Sequence, residues 1–336
     1  MEKQLFGYMP SGEEIFAHIL QNESARIKIL NLGGVIQSFE VFGRDIVAGF
    51  DTVEDYLADD SHQGGIIGRV CNRIRDARFT LNGKTYQLTS NVPGGAQLHG
   101  GNIGFDRRVW TVEAHTNESI TLSLVSPDGE EGYPATMQVK VVYSLVGTAL
   151  KIEYRAEADA DTVVNLTNHA YFHLGGYGNG DILDHVLYVN ADTYTELDET
   201  LVSTGRTLDV ENSVFDFRTP HKIGDEVRRG FAGYDVNYQL KHDKVEPVLD
   251  TKLPFVASLE AGGLAMRVFT DRPCVQLYIG NFLEGLPNMK GGAPKAIHST
   301  VCLETQEEPN GVNLGRSQLK KGEIFETTTI YEIKKI

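Results

Sequence analysis

The chain has 336 residues, 41% of them hydrophobic, and its 31 Lys and Arg against 46 Asp and Glu give a formal net charge of −15. This hydrophobic content suffices for a large buried core, which excludes intrinsic disorder. The negative charge, with no basic cluster, argues against nucleic acid and membrane surfaces as partners, and no apolar run approaches the about 20 residues of a spanning helix.

The first residues, MEKQLFGYMPSG, lack the apolar stretch of a secretory signal. The three cysteines, Cys71, Cys274 and Cys302, lie far apart, so they form no CxxC pair for zinc or redox chemistry. Reduced, buried thiols are expected. We therefore predict a cytoplasmic protein.

Short segments with hydrophobic residues at every second position recur along the chain and predict strands with one buried face. The first element, 53–60, is the segment most typical of a helix. Asn82-Gly83 then predicts a two-residue hairpin turn. Alternating segments follow at 120–124, 150–156, 275–279 and 301–303. With no βαβ alternation and no dinucleotide-binding glycine pattern, the chain is predicted to be all-β.

Length alone suggests about two domains, but all-β sandwiches often run long as single units. No Pro-rich or Ser-rich linker divides the strand pattern, so we predict one domain over residues 1–336, a large antiparallel β-sandwich. The least regular region, 177–233, is predicted to form long loops over one face.

The segment VVNLTNHAYFHL, residues 163–174, carries the most informative pattern. Read as a strand, it places hydrophobic side chains on one face, interrupted by Asn168. The other face carries Asn165, Thr167, His169, Tyr171 and His173. A strand that faces plain solvent carries more Lys, Glu and Thr, so this composition indicates a polar cleft.

Two later strands repeat this design. In VCLETQ, residues 301–306, Glu304 points away from the buried side, and Gln276 and Tyr278 do so in PCVQLYIGNF. Three such strands can line one groove. A single glutamate on a strand is usually solvated, so Glu304 has a function only where it faces His169.

Two glycine-flanked segments supply further polar side chains, GRVCNRI at 68–74 and QLHGG at 97–101. The glycines beside His99 allow the backbone to approach a ligand closely. Asn72 and Arg73 can donate hydrogen bonds to hydroxyl groups. The residues alone allow another explanation that is at least as good. Arg73 would then be a structural arginine paired with an acidic residue, and His99 would be a histidine exposed to water.

Imidazoles and a carboxylate together also suggest a metal site, with His169, His173 and Glu304 as a His₂-carboxylate set. The four-residue spacing of the two histidines is diagnostic on a helix, whereas the pattern here predicts a strand. We therefore predict neither a metal nor a cofactor.

Four of these segments, in order across nearly the whole chain, resemble the aldose 1-epimerase family. GRVCNRI resembles the family's GRxxNRI, QLHGG its LHGG, NLTNHAYFHL its NLTNHxYFNL and CLETQ its catalytic CLETQ. DETLVSTG and VFDFRTP lie between them and agree as well. The resemblance implies a galactose mutarotase-like supersandwich, a large antiparallel β-sandwich, in agreement with the alternating pattern.

The resemblance also implies roles for individual residues. Glu304 matches the family's general base and His169 its general acid. Five residues match its sugar-binding positions: Asn72, Arg73, His99, Asp235 and Gln276. His99 is also expected to stabilise charge that develops on the sugar oxygens.

The chain departs from the family's pattern at three places. His173 stands where the family usually has Asn, Val236 stands where a His follows the aspartate, and Pro309-Asn310-Gly311 replaces a PDA sequence. None of these positions is the acid or the base. The three departures are expected to affect the sugar pocket or the residues that support it. They therefore concern which sugar is preferred rather than the type of reaction.

The resemblance implies an enzyme that catalyses mutarotation of a small-molecule aldohexose, such as D-galactose or D-glucose. This activity belongs to hexose metabolism and to galactose metabolism. The base takes the proton of the anomeric hydroxyl, the acid protonates the ring oxygen, and the open aldehyde recloses on its other face. No metal, cofactor or covalent intermediate is required. A monomer or homodimer is expected.

Two other functions stay open at this point. A related epimerase for phosphorylated hexoses would need several basic side chains in the groove, for which Arg73, with Arg69 and Arg75 nearby, is the clearest candidate. A sugar-binding module without catalysis would be expected to lack the acid or the base, yet both residues are present.

Overall fold

The computed structural model describes residues 2–285 and 287–336, which fold mostly into β-strands. The first strands are β1 (Glu2–Tyr8), β2 (Glu14–Gln21), β3 (Ala25–Leu30), β4 (Ile36–Val41), β5 (Arg44–Asp45), β6 (Ile66–Ile67), β7 (Arg73–Ile74), β8 (Arg78–Leu81), β9 (Lys84–Gln87) and β10 (Gln97–Leu98). There follow β11 (Thr111–His115), β12 (Ser119–Ser126), β13 (Met137–Val146), β14 (Ala149–Ala158), β15 (Thr162–Val163), β16 (Thr167–Asn168), β17 (Val186–Val189), β18 (Ala191–Leu197), β19 (Ser203–Asp209) and β20 (His221–Lys222). The last are β21 (Asp235–Leu240), β22 (Val245–Val248), β23 (Thr251–Ala261), β24 (Leu264–Thr270), β25 (Cys274–Tyr278), β26 (Cys302–Gln306), β27 (Gln318–Leu319) and β28 (Phe325–Lys335).

Two short helices accompany the strands, α1 (Val53–Ala58) and α2 (Gly224–Val227). The Thr52 hydroxyl caps α1 by accepting a hydrogen bond from the Asp55 N–H at 3.1 Å. The sequence predicted this helix correctly. No helix among the described residues is long and apolar enough to cross a membrane.

Three antiparallel sheets form the sandwich. The first has the order β1-β2-β3-β4-β5, and the largest, of ten strands, has the order β11-β12-β13-β14-β28-β24-β23-β17-β20 with β22 paired to β23. The third, β19-β18-β21-β25-β26, carries the polar side chains described below. The predicted all-β sandwich is therefore confirmed.

The main hydrophobic core lies between these sheets. Phe39 of β4, Ile152 of β14 and Leu277 of β25 all belong to it and are fully buried. In β12, buried Ile120, Leu122 and Leu124 alternate with more exposed residues, as a half-buried strand requires. Burial of each such side chain contributes roughly 1.5–3 kcal/mol to folding.

The predicted hairpin forms as β8 and β9. Asn82 and Gly83 join the strands with φ of 52° and 75°, which is the left-handed pair that a type I′ turn needs.

One local expectation was wrong and another holds in part. Residues 163–174 are not one strand, because only β15 and β16 form ladders there, and the side chains of the predicted polar face are buried. Most of region 177–233 lies outside helices and strands, as expected, but the region also contributes β17 to β20 and α2. Its strands carry many exposed residues, so the hydrophobic alternation was weak.

Candidate active site

The third sheet presents a row of polar side chains on one face. In its ladders Gln276 of β25 pairs directly with Glu304 of β26, while Asp235 of β21 pairs with Tyr278. Side chains two residues apart on a strand share a face, so Asp235, Gln276, Tyr278 and Glu304 point to the same side. The alternation in the sequence predicted this orientation for Gln276, Tyr278 and Glu304.

The short ladder of β7 and β10 places the two glycine-flanked segments beside this sheet. Asn72 and His99 both have positive φ, 61° and 54°, at the ends of this ladder. The Asn72 N–H donates to His99 Nδ1 at 3.2 Å. A Cβ on Gly100 would lie 1.9 Å from the Gly68 carbonyl oxygen, so the segment after His99 requires glycine.

A chain of hydrogen bonds connects these loops to the sheet. The Asn72 side-chain amide donates to Gln276 Oε1 at 3.2 Å, and the Gln276 amide donates to Asp235 Oδ1 at 2.6 Å. Because Asn72, Gln276 and Asp235 are bonded in sequence, each of these side chains is oriented by its neighbour.

His169 follows β16 directly and is held on several sides. Its N–H donates to the Gly65 carbonyl at 2.9 Å, and its ring stacks on Tyr171 with centroids 5.0 Å apart. Nδ1 lies 3.6 Å from Cys302 Sγ, and Nε2 lies 3.5 Å from Glu304 Oε1. The structure thus brings His169 and Glu304 face to face.

A cavity of about 550 Å³ opens over these groups. All seven residues that match the family's catalytic and sugar-binding positions line it: Asn72, Arg73, His99, His169, Asp235, Gln276 and Glu304. Hydrophobic side chains also line it: Val92, Pro93, Leu98, Leu201, Phe282 and Leu283. A cavity of this size, lined by both hydrophobic and polar groups, suits a small polar ligand.

Burial determines the protonation of these groups. It raises the pKa of Glu304 well above its usual value, with the nearby Asp235 adding to the effect, and it raises the pKa of Asp235 against the opposing effect of Arg73. Burial, with His62 close by, lowers the pKa of His169 to about 3 and that of His99 well below its usual value. Burial therefore favours the neutral forms of both Glu304 and His169.

Glu304 is also short of hydrogen bonds. Its side chain is 2% exposed, and Oε2 has no hydrogen-bond partner among the described residues. An unpartnered carboxylate oxygen in a buried site is costly, so a ligand that donates a hydrogen bond there is bound favourably.

His62 is the principal cavity residue that the sequence interpretation missed. Its Nδ1 lies 2.8 Å from Asp106 Oδ2, and its ring centroid is 4.8 Å from that of His99. The segment DSHQGG contains a histidine close to two glycines, as QLHGG does, and this signal could have identified it.

Other predicted residues lie elsewhere. His173 packs against His185, with ring centroids 4.7 Å apart, and does not line the cavity, and Val236 belongs to the hydrophobic core. Arg69, 1% exposed, donates to the carbonyl oxygens of Pro134 and Ala135 at 2.6 and 3.0 Å. Arg75 pairs with Asp198 at 2.7 Å. These two arginines are structural and were wrongly considered as groove residues.

The metal set considered from the sequence is also wrong, because His173 points away. Instead, His99, His169 and Glu304 each place one possible ligand atom within 4.8 Å of the others. The Asn72 N–H occupies the lone pair of His99 Nδ1, so in the neutral ring Nε2 carries the proton. This tautomer donates a hydrogen bond into the cavity and offers no lone pair to a metal there.

Comparisons with known proteins find relatives over nearly the whole chain. The family model described as aldose 1-epimerase matches residues 17–332. The galactose mutarotase of Homo sapiens is 40% identical over 340 residues, which cover 98% of this chain and 97% of that protein. The aldose 1-epimerase of Haemophilus influenzae is 34% identical, covering 95% of this chain and 96% of that protein. A crystal structure of galactose 1-epimerase from Lactobacillus acidophilus superimposes with a TM-score of 0.86 at 26% identity, covering 100% of this chain and 99% of that one.

Proposed function

The chain belongs to the aldose 1-epimerase family, and we propose that it interconverts the α and β anomers of D-galactose and D-glucose with Glu304 as general base and His169 as general acid. The observation that carries this proposal is the contact between the two side chains. His169 Nε2 lies 3.5 Å from Glu304 Oε1 at the inner end of the cavity. A sugar bound there places its anomeric carbon beside both groups.

The reaction needs one proton taken and one proton given. Glu304 accepts the proton of the anomeric hydroxyl while His169 protonates the ring oxygen, so the bond from C1 to the ring oxygen breaks and an aldehyde forms. After rotation about the C1–C2 bond, the hydroxyl attacks the other face of the aldehyde, and both proton transfers reverse. Each positioned transfer contributes about 10²- to 10⁴-fold to the rate.

The pair of Glu304 and His169 can hold the same number of protons in two ways, as two neutral groups or as a carboxylate with an imidazolium. In the empty cavity burial favours neutral Glu304 and neutral His169, whereas the reaction uses the carboxylate and the imidazolium. A hydroxyl that donates to Glu304 Oε2 stabilises the carboxylate and lowers its pKa. Sugar binding therefore moves the proton from Glu304 to His169 and creates the reactive pair.

The other residues hold the sugar. His99 donates through Nε2–H, and Arg73 carries a permanent charge with several donors. Asp235 accepts hydrogen bonds from hydroxyls, and Asn72 and Gln276 complete the hydrogen-bonded chain between them. Because sugar hydroxyls both donate and accept, this mixture of groups suits an aldohexose. The protein's own groups suffice for each step, and no metal or cofactor is part of the proposal.

A mutarotation assay tests the proposal directly. Freshly dissolved α-D-galactose is followed by polarimetry with the purified protein, and the spontaneous rate is subtracted. We expect fast conversion with the wild-type chain and none above the spontaneous rate with Glu304→Gln. Wild-type protein that leaves the spontaneous rate unchanged would also favour the alternative of a sugar-binding module.

A phosphorylated hexose is the second candidate substrate, but the charges of the cavity do not favour it. Arg73 is the one Lys or Arg among the described residues that line the cavity, against Asp60, Glu199, Asp235 and Glu304. A phosphate dianion would meet more negative than positive charge. We expect kcat/KM for D-galactose 6-phosphate to be far below that for D-galactose.

We further propose that residues 1–336 form one domain, that the protein works in the cytoplasm, and that it is a monomer or homodimer without a nucleic acid or membrane partner. The absence of CxxC pairs, the three buried free thiols and the net charge of −15 support this setting. The protein would then act in hexose metabolism. It would act in galactose metabolism if galactose is its preferred sugar.

A further inference from the structure

A loop over residues 59–65 brings a third imidazole, that of His62, into the cavity. The Tyr171 hydroxyl donates to the Ser61 carbonyl at 2.8 Å. The Gly64 N–H donates to the His169 carbonyl at 2.8 Å. The loop is thus bonded to the same segment that carries the general acid, and its position relative to His169 is defined by the backbone.

Asp106 orients the His62 ring. The Asp106 side chain is 7% exposed and lies in the turn Phe105–Arg107, with Oδ2 2.8 Å from His62 Nδ1. A Cβ on Gly65 would lie 2.6 Å from the Asp106 Cβ, so this side chain is closely packed. A carboxylate only accepts hydrogen bonds, which means that Nδ1 carries the proton and Nε2 is left for another partner.

That other partner is missing from the protein. Among the described residues nothing hydrogen-bonds to His62 Nε2, and the ring lines the cavity with its side chain 12% exposed. Its centroid lies 4.8 Å from the His99 ring and 6.1 Å from the His169 ring. A sugar that contacts His99 and His169 is therefore within reach of His62.

We propose that His62, oriented by Asp106, is a further sugar-binding residue whose Nε2 forms a hydrogen bond with one hydroxyl of the bound aldose. This inference rests on the proposed function, because it takes the ligand to be a sugar.

A substrate and enzyme double-mutant cycle tests the proposal. Kinetics of the wild type and His62→Phe are measured with D-galactose and its 2-, 3-, 4- and 6-deoxy analogues. The inhibition constant of 1,5-anhydro-D-galactitol, which lacks the anomeric hydroxyl, completes the set. His62→Gln replaces His62→Phe if the latter melts at a much lower temperature. His242→Phe is the matched control, because His242 lies outside the cavity, where its ring bonds to the Arg272 carbonyl at 3.0 Å.

We expect His62→Phe to raise KM for D-galactose about 3- to 10-fold, as for one lost hydrogen bond, with kcat changed less than about threefold. One analogue should show no such penalty, because it lacks the hydroxyl that His62 binds. Asp106→Asn should raise KM for D-galactose by part of this factor. It should raise KM no further when combined with His62→Phe. His242→Phe should behave as wild type.

An equal penalty with D-galactose and all five analogues would overturn the proposal, as would unchanged kinetics for His62→Phe. These results differ from a failure of the proposed function, in which the wild type itself has no mutarotase activity. Wild-type activity that Glu304→Gln abolishes, combined with no selective analogue, refutes the role of His62 alone.

Discussion

His169 Nε2 lies 3.5 Å from Glu304 Oε1, and both side chains are almost completely buried. Their surroundings push the two pKa values in opposite directions, upward for the carboxyl and downward for the imidazole. We therefore expect one proton to move between the two groups when a sugar binds.

Replacing the base should remove activity and keep the fold. Glu304→Gln keeps the shape and the hydrogen-bonding oxygen but cannot accept the anomeric proton, so we expect a loss of about 10²- to 10⁴-fold in kcat. Polarimetry with α-D-galactose measures the rate and circular dichroism the fold. Glu326→Gln, at an exposed ion pair with Arg155, is the control and should retain activity. Full activity in Glu304→Gln would remove Glu304 as base.

Replacing the acid should affect turnover more than binding. We expect His169→Asn to lower kcat by about 10²- to 10⁴-fold, with KM changed by less than about tenfold, because the hydroxyl-binding groups stay in place. His221→Asn, whose ring bonds to the Thr219 carbonyl at 2.9 Å, serves as the histidine control. Unchanged turnover in His169→Asn would exclude this residue as the acid.

The pH profile should differ between the free enzyme and the complex. Without a sugar the pair holds its one proton on Glu304, because burial raises the pKa of this carboxyl. Above this raised pKa the proton is lost and none is left for the ring oxygen, so kcat/KM, which reports the free enzyme, should fall as pH rises through the raised Glu304 pKa. In the complex the proton resides on His169, so the basic limb of kcat reports the imidazolium and should lie at a different pH. Initial rates between pH 4 and pH 9 measure both limbs. A kcat/KM that falls only as pH decreases toward the ordinary glutamate pKa of about 4.3 would contradict the mechanism.

The same carboxyl should make stability depend on pH. Because its pKa is higher in the folded than in the unfolded chain, its contribution to the free energy of unfolding falls as pH rises from about 4.3 through the folded pKa. Glutamine does not ionise, so the melting temperature of Glu304→Gln should rise relative to that of the wild type as pH increases from 4 to 8. Each unit by which folding raises the Glu304 pKa corresponds to about 1.4 kcal/mol in the free energy of unfolding. A constant difference across this range would speak against a raised pKa.

Arg69 should prove structural rather than catalytic. Its guanidinium donates to Pro134, Ala135 and Ser126 carbonyl oxygens, and burial lowers its pKa to about 10. Arg69→Met removes several buried hydrogen bonds at once, although the Thr162 hydroxyl still donates to the Pro134 oxygen, and we expect a loss of about 3–5 kcal/mol in unfolding free energy. Arg75→Gln, which breaks a partly exposed ion pair with Asp198, should cost no more than about 1 kcal/mol. Denaturant unfolding of the two variants measures the difference.

Much of the local structure could be predicted from residue patterns. Alternation identified β12, β14, β25 and β26, and Asn82-Gly83 identified a hairpin, because side-chain direction and turn conformation depend on a few neighbouring residues. The same alternation predicted that the Glu304 and Gln276 side chains point away from the hydrophobic face of their strands. The order of four family-like segments then indicated the reaction and the residues to examine.

The environment of these residues could not be predicted in this way. The polar side of 163–174 was expected to line a polar cleft, but only His169 and Tyr171 reach the cavity, whereas Asn165 and Thr167 are buried outside it. Arg69 and Arg73 are four residues apart in one motif, but one supports the fold and the other lines the site. Burial is set by segments that pack from elsewhere in the chain.

The sequence by itself determined several of the strands, one hairpin turn, the side on which Glu304 and Gln276 stand, and the membership of a family. Only the tertiary structure decided that His169 meets Glu304 at 3.5 Å and that His62 joins them with Asp106 behind it. The reason is that periodicity is a local property of the backbone. Contacts between distant segments, and the desolvation that shifts their pKa values, arise only when the sheets and loops pack together.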